Sequence, residues 1–342
     1  MTLSTVGTVK LGTDVNSPMA IGHVGRDIVV LPTQEPGAPS WNTVTVVDPA
    51  AGTSRAVAHS AWPRGLINWV ATTGDWVVYT DQSHRQGDGS YEALWRIEAI
   101  DLVTGSHRTL ASSGRKESAL IPVVQAQDGL VLWTAPEADR SAKELVWNPG
   151  SAAPYAVLRH KEMTPDSVTI DDGWLYYLGP NGLGRKGHTV GGDCWRVPLT
   201  GGTPVAVTHT ALAMGCAARG SHLVWSQHID PETPNPPPND GILDNPYSLW
   251  TETINADTPS APVKIDEGYN GTYQLHPVEH ALVWQQASAQ VIVSSLADPS
   301  NRIAVPGHIG TYTAGPGDLL AYMRRTRTGI SVTLDRIEVK EP

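Results

Sequence analysis

His84, His188 and His228 are the residues most able to do chemistry in this sequence, together with Arg64, Arg85 and Arg185. Abstracting a proton next to a uronate carboxylate needs a base such as histidine. It also needs a cation or arginine to hold the carboxylate and stabilise the enolate. A histidine–arginine cluster of this kind would give a uronate polysaccharide lyase. The same three imidazoles could instead hold Mn²⁺ or Zn²⁺, since neutral imidazole is a common transition-metal ligand. No two of them stand at i,i+2 or i,i+4 spacing, so a shared site depends entirely on how the chain brings them together.

Other candidates are less specific. Asp230, Glu232, Asp240 and Asp244 could offer oxygens to Ca²⁺, but their spacing fits no EF-hand, and the Pro-rich run between them reads equally as a stiff solvated loop. Ser, His and Asp follow no order that marks a nucleophile elbow. Gly182-Leu183-Gly184 and Gly191-Gly192 lack the following helix that a phosphate cradle requires. Trp62, which no period explains, and the loop residues Tyr269, Asn270 and Arg324 are the expected ligand-binding residues.

These residues must be positioned by strands, and the strands recur. Asp128-Gly129-Leu130-Val131-Leu132-Trp133 reads as a turn and a short buried strand with a terminal aromatic. Relatives end at Leu31, Tyr79, Tyr177, Trp225, Trp284 and Tyr322, spaced about 48 residues apart on average. A tryptophan strand follows the middle copies at Trp95, Trp147, Trp195 and Trp250. Strand–Gly–strand segments then follow at Asp101–Leu110 and Pro198–Val207. Four short strands per unit predict an all-β fold, a β-propeller of four-stranded antiparallel blades. Seven copies predict seven blades, at about 19–60, 61–113, 114–160, 161–210, 211–267, 268–307 and 308–342, in a single domain spanning 1–342. The last unit runs short of strands, so Thr5–Leu11 is expected to join it and close the ring.

With the blade strands labelled A (innermost) to D, the B–C connections are long and varied, while the A–B turns are short. Long loops on a rigid scaffold are where binding resides, so the expected site lies on the B–C side. His84 and Arg85, His188 and Arg185, His228, and Arg324 all fall in B–C connections. Trp62, Arg64, Tyr269 and Asn270 fall in D–A connections on the same side. The aromatic that ends each B strand is expected to pack between blades.

The unit "strand, Asp-Gly, apolar strand with a terminal aromatic, Trp-Arg-Val-Pro-Leu-Thr-Gly-Gly, strand", carried best by Asp172–Tyr177 and Trp195–Val207, resembles the TolB-like propeller repeat. The resemblance spans most of the chain and is one of scaffold. The family's Trp-Ser-Pro-Asp-Gly stretch is missing, as are sialidase Asp boxes and the paired signatures of WD40 repeats. It implies a secreted or cell-envelope propeller, of a kind that serves as a docking module, as a domain of peptidases, or as a look-alike of propeller lyases.

Bulk properties narrow the partners. The formal net charge of −10 argues against nucleic acid and anionic membranes, both of which need basic patches. No apolar run is long enough to span a bilayer. Met1–Thr5 lacks the charged start and apolar core of a signal peptide, and a mature secreted domain with an added Met1 would read the same way. A carbohydrate or protein partner and a monomeric state are expected. Cys194 and Cys216 fall in consecutive units, so a disulfide is geometrically reasonable and would imply an oxidising compartment; two buried, inert thiols are the alternative.

Overall fold

The structure, a computed structural model, describes residues 1–11, 23–25, 27–38, 40–83, 92–113, 117–118, 121–137, 141–160, 168–180, 192–228, 246–254, 261–269, 275–286, 290–307, 309–326 and 329–339. All regular elements among them are strands. None of the described residues forms a helix long and apolar enough to cross a membrane.

The Asp-Gly motif makes tight hairpins. Gln127 pairs with Leu130 and Asp171 with Trp174, leaving only Asp128-Gly129 and Asp172-Gly173 to reverse the chain. Both residues of each pair have positive φ: 52° and 78° in the first, 46° and 77° in the second. That is the type I′ conformation, whose twist matches the flanking strands and which Asp-Gly adopts at little steric cost.

Contacts divide the chain into two units. One comprises residues 3–159 and 309–337. Its first sheet contains His23–Gly25, Ile28–Thr33, Thr43–Asp48 and Thr53–His59, in that order. The second contains Leu66–Thr73, Trp76–Gln82, Trp95–Asp101 and His107–Ser112, and the third Val124–Gln127, Leu130–Pro136, Ala142–Trp147 and Tyr155–His160. A further sheet runs Thr311–Gly315, Leu319–Thr326, Gly329–Glu338, Thr2–Leu11. A two-stranded ribbon pairs Glu92–Ala93 with Glu117–Ser118.

These sheets bury their faces against one another. Val9 and Leu11 of the N-terminal strand pack with Leu334 and Val332 beside it and with Val29, Leu31 and Val47 of the first sheet. Val46 and Ala58 meet Val70, Val77 and Tyr79 of the second sheet. The second meets the third through Ala71, Ile97, Val131, Trp133 and Trp147. Trp133 is wholly buried, and truncating such a residue typically costs about 3–5 kcal/mol.

The other unit comprises residues 1–2, 160–308 and 338–342. It holds a four-stranded sheet of His276–Pro277, Ala281–Gln285, Val291–Ser295 and Arg302–Ala304. It also holds one eight-stranded sheet between Val168 and Tyr269. Trp225 belongs to one buried cluster of this unit and Trp284 to another.

This corrects the seven-blade expectation. The described residues form five separate four-stranded sheets, and the strands between 168 and 269 do not divide into two further blades. The reason is local. The outer strand Val205–Ala206 is only two residues long, so the far end of Gly192–Pro198 stays open. Ala213 pairs there with Gly192 and fuses the two meanders. Ring closure is corrected as well. Thr2–Leu11 is an edge strand beside Gly329–Glu338, but hydrogen bonds run within sheets and do not close the sheets into a ring.

Candidate functional site

A recess among the described residues opens between the outer strand of the first sheet and the second sheet, with a volume of about 350 Å³. It is built on strand register. Tyr79 pairs with Glu98, and Glu98 pairs with Thr109, on adjacent strands. Their side chains therefore stand side by side on one face, and His107, two residues before Thr109, shares it. From the first sheet come Arg55, Val57, Ala58 and His59. Ala56 pairs with Thr45 and Ala58 with Val44, so Val57 has no partner of its own. This β-bulge turns the strand enough for consecutive residues to line the same hollow.

At its inner end lies a hydrogen-bonded cluster. Nε2 of His107 is 3.3 Å from Oε2 of Glu98 and 3.4 Å from the Tyr79 hydroxyl. The Thr109 hydroxyl lies 3.0 Å from each Glu98 oxygen and donates to that carboxylate. Glu98 is almost wholly buried, and burial raises its pKa against the opposing pull of Thr109, His107 and Arg96. Burial also pushes the Tyr79 phenol well above the usual tyrosine range, with Glu98 and Asp81 adding to the effect. Tyr79 is therefore held as the neutral phenol. A carboxylate needs a donor, so Nε2 of His107 carries its proton and Nδ1 is left for a ligand.

The rim carries Asp101, Leu102 and Gly105. Oδ1 of Asp101 accepts from the backbone N–H of Val103 (2.8 Å) and Thr104 (3.1 Å). The Thr104 and Val103 amides hold its pKa below the ordinary carboxylate value. His59 lies 3.2 Å from Glu35 and 3.3 Å from the Thr43 hydroxyl. Among the described residues, no serine or cysteine lines the recess.

Other buried carboxylates hold the backbone in place. Asp81 takes the Ser60 hydroxyl at 2.6 Å and the Ala61 N–H at 2.8 Å, and burial raises its pKa to about 6. Asp193 accepts from Thr208 and from the Ala211 N–H, and Asp171 from the Gly220 and Ser221 N–H groups. Each fastens the turn or connection that precedes or follows a strand.

The expected site residues are only partly placed. His84, Arg85, Arg185, His188 and Asn270 lie outside the described residues. His228 and Tyr269 end their strands, where His228 pairs with Tyr247 and Tyr269 with Pro246, so their backbones come to one end of the eight-stranded sheet. Arg64 is exposed beside Trp62. Trp62 is half-buried, with the Arg96 guanidinium 4.8 Å above its ring. Arg324 lies 4.7 Å over Tyr322, whose hydroxyl donates to Asp335 at 2.9 Å. Cys194 and Cys216 form a disulfide, with Cα atoms 5.9 Å apart. The recess itself was missed from sequence. The available signal was Glu98, an acid in the middle of an apolar strand.

No protein-family model matches the chain, and no curated protein matches it in sequence. Solved structures do match in fold. The β-propeller domain of the Trilobed protease from Pyrococcus furiosus, described as having an open velcro topology, aligns with a TM-score of 0.62 at 10% identity, over 95% of this chain and 94% of that one. The WD40 β-propeller domain of Doa1 gives 0.53 at 13% identity, over 98% and 97%. A chain of the Mitotic Checkpoint Complex gives 0.55 at 11%, over 98% and 91%. Identities this low establish fold alone. The four-stranded antiparallel sheets and these likenesses together make the protein a β-propeller.

Proposed function

We infer that this chain is an exported binding module of TolB-like type. The observation that carries this reading is the chemistry of the recess. Arg55 and the Tyr79 hydroxyl offer donors and Nδ1 of His107 an acceptor beside the apolar Val57, Ile100 and Leu102. Such a hollow suits ligand recognition. The Cys194–Cys216 disulfide supports export, because disulfides persist in oxidising compartments. The B–C connections read from the sequence, 84–91, 181–191 and 229–245, lie outside the described residues, and a protein partner is proposed to dock on them.

The test is a thermal-shift panel of neutral oligosaccharides, oligouronates and short peptides, with each stabilising compound recovered and examined by mass spectrometry. Stabilisation by a compound that returns unchanged is the expected result. Chain cleavage of oligouronate with a new ultraviolet-absorbing product would overturn the reading in favour of elimination chemistry.

A further inference from the structure

We propose that the recess between the first and second sheets is a binding site for a neutral saccharide, with room for one or two hexose units. This rests on the reading of the chain as a binding module and names its ligand class. A volume of about 350 Å³ stands at the small end of ligand sites, where a mono- or disaccharide fits and a peptide segment does not.

Charge selects against ions. His59 faces Glu35 at 3.2 Å, and His107 faces the buried Glu98 at 3.3 Å, so any positive charge on either imidazole is offset locally. Arg55 and Asp101 remain. They line the same hollow, opposite in sign, with no ion pair between them. A free anion meets Asp101, and a free cation meets Arg55. A polyol meets neither penalty. Its vicinal hydroxyls accept from guanidinium and donate to carboxylate, and such charge-assisted bonds are the strong ones. Asp101 accepts the Val103 and Thr104 amides at Oδ1, which fixes the carboxylate at the rim.

The remaining wall suits the C–H face of a pyranose. Val57, Ala58, Ile100 and Leu102 supply an apolar surface. Nδ1 of His107 and the Tyr79 hydroxyl supply polar atoms at its inner end. The Glu98–Thr109 contacts hold that end in place before a ligand arrives, which reduces the ordering cost of binding.

Saturation-transfer NMR with methyl glucoside, methyl galactoside, methyl mannoside and their neutral disaccharides tests this. Wild-type protein should transfer saturation to the ring protons of at least one of them, with millimolar or tighter affinity. Arg55→Ala should weaken that binding by about tenfold. Arg55 has no ion-pair partner among the described residues, so this variant should unfold as the wild type does. His107→Ala serves as a second variant, its fold checked by the same unfolding measurement. Glucuronate or glucosamine binding about tenfold tighter than the neutral sugar would overturn the charge argument. Transfer from no neutral sugar, or transfer unchanged in both variants, would overturn the site. A peptide hit in the thermal-shift panel would then leave the binding-module reading standing, whereas chemical conversion of a sugar would remove that reading too.

Discussion

Removing the Cys194–Cys216 crosslink should cost measurable stability without changing the fold. The two cysteines lie 22 residues apart, in strands Gly192–Pro198 and Ala213–Arg219 of one sheet. Closing a loop of that length restricts the unfolded chain by an amount worth about 3 kcal/mol on the loop-entropy model. Spread over a chain of 342 residues, that corresponds to a fall of roughly 4 °C in Tm. Both cysteines are buried, so reductant alone should leave the native bond intact, while reductant in denaturant should cleave it. The assay pairs calorimetry on Cys194→Ala/Cys216→Ala with thiol titration of the unreduced, denatured wild type. Two titratable thiols in that sample, or a double variant with an unchanged Tm, would refute the reasoning. The Ala213–Gly192 pairing is a backbone contact, so the eight-stranded sheet should survive in the variant, with unchanged far-ultraviolet circular dichroism.

Asp81 predicts a pH signature. Its folded pKa of about 6 exceeds its unfolded value near 3.9, so the folded state holds the proton more tightly. Stability from this group is present on the acid side and is lost as pH rises through about 6, by an amount of order 3 kcal/mol. Asp81→Asn keeps an acceptor for Ser60 and abolishes the titration, so the variant should gain on the wild type between about pH 4 and pH 7. A pH-independent difference between the two would contradict the raised value. Gly7 tests how the N-terminal strand is seated. A Cβ there would collide with the Pro49 carbonyl at the end of the first sheet's hairpin, so Gly7→Ala should destabilise the protein by about 1–3 kcal/mol, read in denaturant unfolding.

The turns and the buried aromatics were legible because they obey local rules. Asp-Gly needs positive φ, and Trp133, Trp225, Trp284, Tyr79, Tyr177 and Tyr322 each end an apolar run, so their burial follows from pattern alone. The number of separate sheets was not legible. It turns on one backbone bridge between Gly192 and Ala213, and repeat counting does not detect where an outer strand stops early. The recess was hidden for another reason. Arg55 and His107 lie 52 positions apart in different sheets, and their approach depends on sheet packing and on the bulge at Val57. Spacing rules that find helical or hairpin pairs see nothing there. Trp62 was singled out because no period explained it, and its ring lies under Arg96. The histidines expected on the B–C side fall at 84 and 188, outside the described residues, and at 228, placed by its backbone alone.

Ligand recognition at the recess is read out by hydrogen–deuterium exchange, with and without a stabilising compound from the panel. Exchange should slow in Thr53–His59 and across Trp95–Ser112, with the compound recovered unchanged. Protection confined to other parts of the chain, or a compound that emerges chemically altered, would contradict it.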